Sequence, residues 1–441
     1  VHFILSSRSH PKLNLSKLKL ADKLLLIDSH DMTLTEPHIQ TLCEQVCGFT
    51  LDEVHLPRLA GITEGWFAGV KIALLVMKDQ GIEAIDEFNG SQPDLVEYFG
   101  SEVYESLSDS ERQFFVITAV FDRFNVDVCN YVMDRQDSHL IIGDLIDQSV
   151  FILEDKQSPN WYRYHALLQE FLRKKLEQSS TPSQLSELHL KCVEGFYALG
   201  EFELAIKHVF KSGDEHRKIN LLMETCNHWM KEGGFIQIVK ALDQLSEREL
   251  YQHTHLAIIY GYSLIFSRRF NQAQFYLAEL KAFHESNAKP SLLDDIAYLE
   301  LSLRLLQRDI ETISKQQVDQ LLESAYLSEI RTFSLIIAAY FELQGGELSE
   351  ALSIAHKAKA ILARKGHVFL ESYSDLMIAL CDRYMGRGIE AVNYISSIYS
   401  KNQFEKGGLP WVSLTTAMVV VCYEQNQLKK AQSLCEQLVP F

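Results

Sequence analysis

Basic residues are scarce relative to acidic ones in this 441-residue sequence, where 42 Lys and Arg stand against 59 Asp and Glu for a net charge of −17. A chain with that charge repels nucleic acid at long range, and the sequence contains no recognised DNA-reading motif. Long apolar runs are missing as well, since Phe114–Phe121 and Ala417–Cys422 are too short to span a bilayer. We therefore expect no membrane partner, and DNA binding only through a segment outside these residues.

The eight cysteines are scattered, and none of them forms a C-x-x-C pair. Cys43 and Cys47 are spaced to share a helix face, but no histidine or carboxylate completes a zinc set beside them. Serine, cysteine, histidine and acidic residues likewise form no arrangement typical of a hydrolase. Since no signal peptide is visible, we expect reduced thiols in a cytoplasmic protein, with no metal site and no catalytic residues.

The first thirty residues contain two short apolar runs that predict strands. Phe3–Ser7 is the first, and Pro11 ends regular structure soon after it, which places Arg8 at the mouth of a strand. Ligands usually bind at that position in open parallel sheets. Leu24–Asp28 is the second candidate strand. Because the sequence starts at Val1 and enters in mid-strand, we expect it to be a piece of a longer protein.

From Thr35 onward the pattern becomes helical. Thr35 is a suitable N-cap for a helix that opens with an acidic residue and a proline and runs toward Cys47. A short helix follows, and Thr63-Glu64-Gly65-Trp66-Phe67-Ala68-Gly69 then leads into a helix over Val70–Lys78. Two glycines with a tryptophan between them permit a close approach of the backbone. Close packing explains this pattern as easily as ligand contact does.

Residues 102–176 have the pattern of a small domain in which helices are followed by a two-stranded ribbon, which describes a winged helix. The two strands are predicted at Val150–Leu153 and Trp161–Tyr164, on either side of a polar turn. The helices before them are predicted over Glu102–Leu107, Asp109–Thr118, Val126–Met133 and Ser138–Gln148.

The second ribbon strand runs directly into an amphipathic helix. Arg163 and His165 lie at its start, where free backbone N–H groups and the helix dipole favour an anion such as phosphate. A satisfied structural histidine is the alternative for His165, and Arg163 is more simply a solvated or ion-paired strand residue. Arg173-Lys174-Lys175 is interpreted as a solvated helix end, where positive charge suits the dipole. The apolar face of the helix comprises Leu167, Leu168, Phe171, Leu172 and Leu176.

Beyond Thr181-Pro182-Ser183 the sequence is helical and contains an internal repeat. An apolar residue followed three residues later by alanine recurs after a polar or glycine turn at Phe270/Ala273, Leu348/Ala351 and Leu428/Ala431. Gly388/Ala391 is a weaker copy, and Ile310/Ile313 fills the remaining slot. The second position of this pattern falls at residues 273, 313, 351, 391 and 431, which are 40, 38, 40 and 40 residues apart. Shorter steps lead back to Phe202/Ala205 and Phe235/Ile238. A period near forty residues predicts stacked helical hairpins, in which each small residue lets two helices approach closely.

Several of these segments, taken in order, resemble the MalT-type branch of the STAND signal-transduction ATPases, whose members are LuxR-type transcriptional activators. The resemblance covers the chain strongly to about Leu222 and extends in architecture alone beyond it, where the helical solenoid follows. The segments that carry it are Ile4–Leu13, Thr63–Ala73, Phe114–Arg123 with Val128-Cys129-Asn130, and Phe151–Leu153 with Trp161–His165.

The resemblance implies a nucleotide-binding domain, a helical lid, a winged helix, a superhelical sensor domain and a C-terminal helix-turn-helix. In this family ADP holds the inactive form, and inducer together with ATP opens it for oligomerisation and DNA binding. We accordingly expect a mainly α chain with four parts. Residues 1–32 would be the C-terminal remnant of an α/β nucleotide-binding domain, 33–100 the lid, 101–180 the winged helix and 181–441 a TPR-like α-solenoid sensor.

The resemblance also implies nucleotide-binding roles for individual residues. Arg8 matches the sensor arginine that reads the terminal phosphate, a task suited to its fixed guanidinium fork. Gly65, Trp66 and Phe67 match the lid motif that packs near adenine, with Phe67 where related proteins often have a proline. His165 matches the winged-helix histidine that contacts the β-phosphate of ADP and locks the closed state.

Two parts of the family pattern are missing from the sequence. No G-x-x-x-x-G-K-[ST] sequence occurs, so no loop of backbone amides with its lysine is present to cradle phosphates. No helix-turn-helix is found before Phe441 either. We therefore expect ATP or ADP with magnesium to bind the full-length protein, while this fragment alone binds no nucleotide and is not catalytic.

The favoured hypothesis is the regulatory and sensor region of an ATP-dependent activator. An unidentified small-molecule inducer or inhibitory protein would bind the solenoid, and the active state would self-associate. The alternative is a non-enzymatic helical-repeat scaffold that binds a protein on its concave face. The residues upstream of Val1 and downstream of Phe441 would discriminate between the two.

Overall fold

The computed structural model describes residues 4–5, 15–27, 31–147, 151–155, 158–286, 290–307, 314–317, 328–401 and 406–439. The chain divides into two compact units, Val1–Asp214 and Glu215–Phe441. The mainly α fold class is confirmed, and the described residues contain one sheet of two strands. None of the helices that these residues form is long and apolar enough to cross a membrane. The predicted domain boundaries after residues 32, 100 and 180 remain predictions.

The described residues near the N-terminus form one short helix, Leu15–Leu20, and no strand. Leu24–Ile27, predicted as part of a strand, has no regular structure, and its apolar side chains are largely exposed. The strand prediction is wrong here because the described residues offer no partner strand, and an isolated strand leaves its backbone N–H and C=O groups unpaired. Arg8 and most of the first predicted strand, Phe3–Ser7, lie outside the described residues.

The lid segment (residues 33–100) is built from short helices. The first begins at the predicted N-cap Thr35, and Gly48 ends it with a φ of +79°. The helix predicted over Val70–Lys78 is longer than expected and starts directly after Trp66. The elements are Glu36–Cys47, His55–Thr63, Phe67–Gln80, a 3₁₀ turn at Ile82–Asp86, and Pro93–Tyr98.

The helices of the next segment largely have their predicted bounds. Asp109–Thr118 and Val126–Met133 form as expected, and the third helix is described over Ser138–Asp147. The helix predicted over Glu102–Leu107 is wrong in its bounds and in its kind of helix. A π-helical turn covers Phe99–Tyr104 instead, because it continues the preceding lid helix without a break.

The predicted ribbon is confirmed, with strands β1 (Ile152–Glu154) and β2 (Tyr162–Tyr164) pairing antiparallel. Phe124 extends the pairing through backbone hydrogen bonds to Tyr162 of 2.7 and 2.8 Å. At the end of β2 the Tyr164 ring is buried, and its hydroxyl lies 2.6 Å from the Thr118 hydroxyl. This buried anchor fixes the point at which the chain enters the closing helix, Ala166–Ser179.

Two helices, Pro182–Ala198 and Phe202–Ser212, complete the first unit and form the first helical hairpin (residues 182–212). Thr181 caps the first of them and Pro182 occupies its first turn, which agrees with the break predicted at this point. Ala205 is fully buried where the two helices pack. The small residue thus allows the close approach that the repeat pattern predicted.

The second unit consists of helices that pack as consecutive pairs. Each described repeat helix begins at the first residue of the pattern, which is Gly388 in the weaker copy, and Ala273, Ala351, Ala391 and Ala431 are buried as expected. The predicted helical hairpins are confirmed here, while the slot at Ile310/Ile313 lies outside the described residues. The helices are Glu215–Glu232, Phe235–Leu242, Glu247–Gln252, Thr254–Phe266, Phe270–Ser286, Pro290–Leu306, Ser328–Gly345, Leu348–Lys365, Val368–Tyr384, Gly388–Lys401, Leu409–Glu424 and Leu428–Leu438.

Within this unit the first helix of each hairpin also packs on the first helix of the next, from Thr254–Phe266 through to Leu409–Glu424. The Phe369 ring is fully buried and lies edge-on to Phe235 and Phe266, with centroids 4.8 and 5.5 Å apart. These contacts join residues more than a hundred positions apart. They join three helices of the unit through one aromatic cluster, as expected where repeats cannot bury their apolar faces alone.

Candidate functional site

His165 is the N-cap of the closing helix and connects it to the lid segment. Its Nδ1 accepts the backbone N–H of Leu167 at 3.3 Å. Its Nε2 lies 2.9 Å from the carbonyl oxygen of Thr63, and because a carbonyl can only accept, Nε2 carries the proton. Both ring nitrogens therefore have backbone partners, one in the closing helix and one in the lid segment.

Burial keeps the His165 imidazole neutral. The residue is 5% exposed, and burial lowers the pKa of His165 below its ordinary value, although the nearby Glu64 carboxylate acts in the opposite direction. The neutral ring with a proton on Nε2 is the one tautomer that satisfies both contacts. In this conformation His165 is thus a fully satisfied residue, and its contact with a nucleotide stays a prediction.

Trp66 fills an aromatic cluster between the lid segment and the ribbon. Its ring stacks on Phe99 with centroids 5.6 Å apart, and it meets Phe151 edge-on at 5.0 Å. The His165 imidazole also lies edge-on to it, at 5.8 Å. Contacts of this kind contribute roughly 0.5–1.5 kcal/mol each beyond the area they bury. The packing interpretation of Trp66 accounts for all three.

Gly65 lies where two backbone segments of the lid meet. Its φ is +72°, and a Cβ atom there would come 2.4 Å from the carbonyl oxygen of Leu34. The Gly65 carbonyl in turn accepts the Leu34 N–H at 2.8 Å. Only glycine allows this approach at this backbone conformation. The close approach predicted from the two-glycine motif is therefore present at Gly65.

Glu64 joins the lid segment to the winged helix. Its carboxylate pairs with both terminal nitrogens of Arg163 at 2.9 and 2.8 Å, and it also accepts the Ala166 N–H at 3.0 Å. Burial opposes ionisation of Glu64, but the bonds from Arg163 and Ala166 outweigh it and lower its pKa. In this structure a carboxylate of the protein itself therefore occupies the start of the closing helix, while phosphate binding there stays a prediction.

Three of the five predicted site residues come together here: Gly65, Trp66 and His165. Phe67 follows them as the first residue of its helix, with 53% of its surface exposed. Arg8 lies outside the described residues. Within the described part of the chain, no group of three or more His, Cys, Asp or Glu side chains has the geometry of a metal site.

Two residues of this region were missed or misread from the sequence. Glu64 stands inside the lid motif, but its pairing with Arg163 spans 99 residues and has no signature in local spacing. The interpretation of Arg173 as part of a solvated helix end is wrong, because the helix continues to Ser179. Arg173 instead donates to the Ala119 carbonyl at 2.9 Å and pairs with Asp122.

Comparisons with known proteins support the resemblance to the MalT regulators. Residues 100–184 match the family model of the MalT winged helix domain. The chain is 23% identical over 448 residues to the HTH-type transcriptional regulator MalT of Vibrio cholerae, covering 97% of this chain and 49% of that protein. It is 24% identical over 331 residues to MalT of Vibrio parahaemolyticus, covering 74% of this chain and 36% of that protein.

Two further similarities are weaker. The chain is 20% identical over 271 residues to the serine/threonine-protein kinase PknK of Mycobacterium tuberculosis, which covers 61% of this chain and 24% of the kinase. A crystal structure of a STAND protein with a tetratricopeptide repeat sensor from Pyrococcus horikoshii aligns with a TM-score of 0.37 and 16% identity, over 93% of this chain and 66% of that one.

The match over residues 100–184 defines a chain with a winged helix of the MalT type. With the MalT regulators as relatives, the chain is MalT-like, and the resemblance that the motifs carried is confirmed. The chain spans about half or less of the length of these relatives.

Proposed function

We propose that this chain is the switch and sensor region of an ATP-dependent, LuxR-family transcriptional activator of the MalT type. The lid segment and the winged helix respond to the nucleotide, and the helical repeats receive an inducer or an inhibitory protein. Opening of the switch leads to self-association and to DNA binding through a separate domain. ATP or ADP with magnesium is the cofactor of the full-length protein.

The observation that carries this proposal is the bond between the Nε2–H of His165 and the Thr63 carbonyl. His165 and Arg163 are donors of the kind that bind phosphate. The Glu64 carboxylate, which pairs with Arg163, is an anion already bound at this helix start. Nε2 has a single proton, so it serves either Thr63 or a phosphate oxygen. Contact with the nucleotide and closure of the lid on the winged helix are therefore alternatives at this atom.

A second set of contacts connects the winged helix to the first helical hairpin. The Arg123 guanidinium lies over the Trp161 ring, 4.6 Å from its centroid, and pairs with Glu201 at 2.7 Å. Asp122 bonds both Arg173 of the closing helix and Lys207 of the hairpin, at 2.9 and 3.0 Å. A movement of the hairpin would thus displace β2, which contains Arg163 and leads into His165. This supports a role in transmission between sensor and switch.

The test is to replace His165 with alanine in the full-length protein and to measure dissociation of ADP together with basal transcription. We expect ADP to dissociate at least tenfold faster and basal activity to rise. His139→Ala is the matched control, because His139 is an exposed histidine of the same winged helix. Unchanged ADP dissociation and basal activity in His165→Ala would refute the sensor role.

A further inference from the structure

Two carboxylates, one from the lid and one from the winged helix, each accept a backbone N–H of the other part. Glu64 of the lid accepts the Ala166 N–H at the start of the closing helix. One turn further on, Glu170 of the closing helix accepts the Gly90 N–H of the lid at 2.6 Å. Each side therefore supplies one carboxylate to a backbone N–H of the other, a charge-assisted type of bond that is stronger than a neutral one.

Glu64 is the more strongly bonded of these two carboxylates. It pairs with Arg163 through two parallel N–H···O bonds, a geometry that fixes direction as well as distance. Its side chain is 20% exposed against 46% for Arg163, so the pair is partly withdrawn from water. The Asp155 carboxylate is the further charge that acts on Arg163, and like Glu64 it raises the pKa of the guanidinium.

The backbone around Glu64 is bonded within the lid segment, so we expect the carboxylate to stay with the lid if the two parts separate. Glu64 has a φ of +48° at the end of the helix His55–Thr63. Gly65, next to it, is held by its hydrogen bond to Leu34 inside the lid segment. Thr63, on the other side, is the residue whose carbonyl accepts the hydrogen bond from the Nε2–H of His165. Separation of lid and winged helix must therefore break the Glu64 and Thr63 contacts together.

We propose that Glu64 is the positioning residue that locks the lid onto the winged helix, and that opening of its ion pair with Arg163 releases His165 from Thr63. This inference rests on the proposed function, since it names the contact that must open when the switch changes state. While the lock is closed, the Glu64 carboxylate occupies Arg163 and the Ala166 N–H, the anion-binding groups at the start of the closing helix.

The lock is tested in this chain by hydrogen exchange at two backbone amides. Glu64→Gln removes the charge but keeps an oxygen for Ala166, whereas Glu64→Ala removes both. We expect exchange to accelerate at least tenfold at Ala166 in Glu64→Ala. We also expect faster exchange at Gly90 in both variants, although its own acceptor, Glu170, is unchanged. Faster exchange at Ala166 with an unchanged Gly90 would make Glu64 a local helix cap and overturn the lock.

Controls separate a lock from a general loss of structure. Glu53→Gln removes an exposed carboxylate of the same lid segment, and we expect it to leave both amides unchanged. The exchanged pair Glu64→Arg with Arg163→Glu restores an ion pair, and we expect slower Gly90 exchange than in either single variant. Exchange as fast as in the single variants would contradict the proposal.

A measurement in the full-length protein distinguishes the lock from the proposed function. Glu64→Gln should slow the dissociation of ADP, because opening of the lock frees Nε2 of His165 for the nucleotide. If Gly90 exchange accelerates while ADP dissociation is unchanged, the lock stands and the proposed switch function fails. If neither changes, the lock itself is wrong.

Discussion

The imidazole Nε2–H of His165 donates to the backbone carbonyl of Thr63 over 2.9 Å, across 102 residues of sequence. Thr63 is the last residue of a lid helix, and His165 is the N-cap of the closing helix. This bond can therefore form only while the lid segment and the winged helix are in contact. It also sets the tautomer of the histidine. The residues that hold this arrangement, and the repeats that follow it, can each be tested by substitution.

Gly65→Ala should destabilise the first unit by about 2–4 kcal/mol, because the new Cβ meets the Leu34 carbonyl and the positive φ adds strain. Urea denaturation measures the loss. Gly61→Ala is the matched control: Gly61 lies in the preceding helix, and an added Cβ would meet nothing within 4 Å, so alanine should stabilise it by about 0.5–1 kcal/mol. Equal effects of the two substitutions would contradict the close approach at Gly65.

Arg173→Met should cost about 2 kcal/mol, because it leaves the Ala119 carbonyl without its donor as well as breaking the pair with Asp122. Lys207→Met breaks only the other pair of Asp122, which is more exposed, and should cost less than about 0.5 kcal/mol. Unfolding free energies of both variants decide the order. A larger loss of unfolding free energy in Lys207→Met than in Arg173→Met would contradict a stabilising role of the hydrogen bond from Arg173 to the Ala119 carbonyl.

The first unit should lose stability in weak acid because of two histidines that contact each other. His189 and His208 lie with their Nδ1 atoms 2.9 Å apart. Burial lowers the pKa of His208 to about 3, with His189, Lys211 and Arg173 acting in the same direction and Asp122 against it. Burial likewise lowers the pKa of His189 to about 4.

Since these folded-state pKa values lie below the unfolded value near 6.5, the unfolded chain takes up protons first as the pH falls. Stability should therefore decline from pH 6.5 downward, by roughly 2 kcal/mol at pH 5 for His208. His208→Phe should reduce the difference between pH 7 and pH 5 by about that amount, as urea titrations at both values would reveal. The exposed His139→Gln should leave the difference unchanged.

Ala351→Leu should destabilise the second unit by about 1–3 kcal/mol, because Ala351 is fully buried where two hairpin helices pack. Ala360→Leu lies on the exposed side of the same helix and should change stability by less than about 0.5 kcal/mol. Thermal unfolding of the two variants provides the comparison. If Ala360→Leu were the more damaging, the small residue of the repeat would not be a packing requirement.

This chain by itself should show no measurable magnesium-dependent ATP hydrolysis. The reason is the lack of a G-x-x-x-x-G-K-[ST] sequence in its 441 residues, so that the phosphates have no loop of backbone amides. A phosphate-release assay with ATP and Mg²⁺ tests this. Robust turnover that survives further purification would overturn the prediction.

The elements that sequence predicted well are those specified by local chemistry. Asp109–Thr118 and Val126–Met133 form with their predicted bounds, and each is capped by a side chain directly before it. The described repeat helices begin at the first residue of each copy of the pattern, because a small residue at fixed spacing is a local requirement of hairpin packing. Leu24–Ile27, the described part of the predicted strand Leu24–Asp28, forms no strand, because a strand needs a partner that its own sequence does not specify.

By itself, the sequence determined the order of the segments, the mainly α fold class, the winged-helix ribbon and the hairpin repeat. It also placed an anion site at the start of the closing helix. Tertiary structure alone decided what fills that site, because Glu64 reaches it from a segment about a hundred residues away. It also decided the state of His165, since burial and the Thr63 carbonyl fix its tautomer. Both outcomes depend on which distant groups the fold brings within hydrogen-bonding distance.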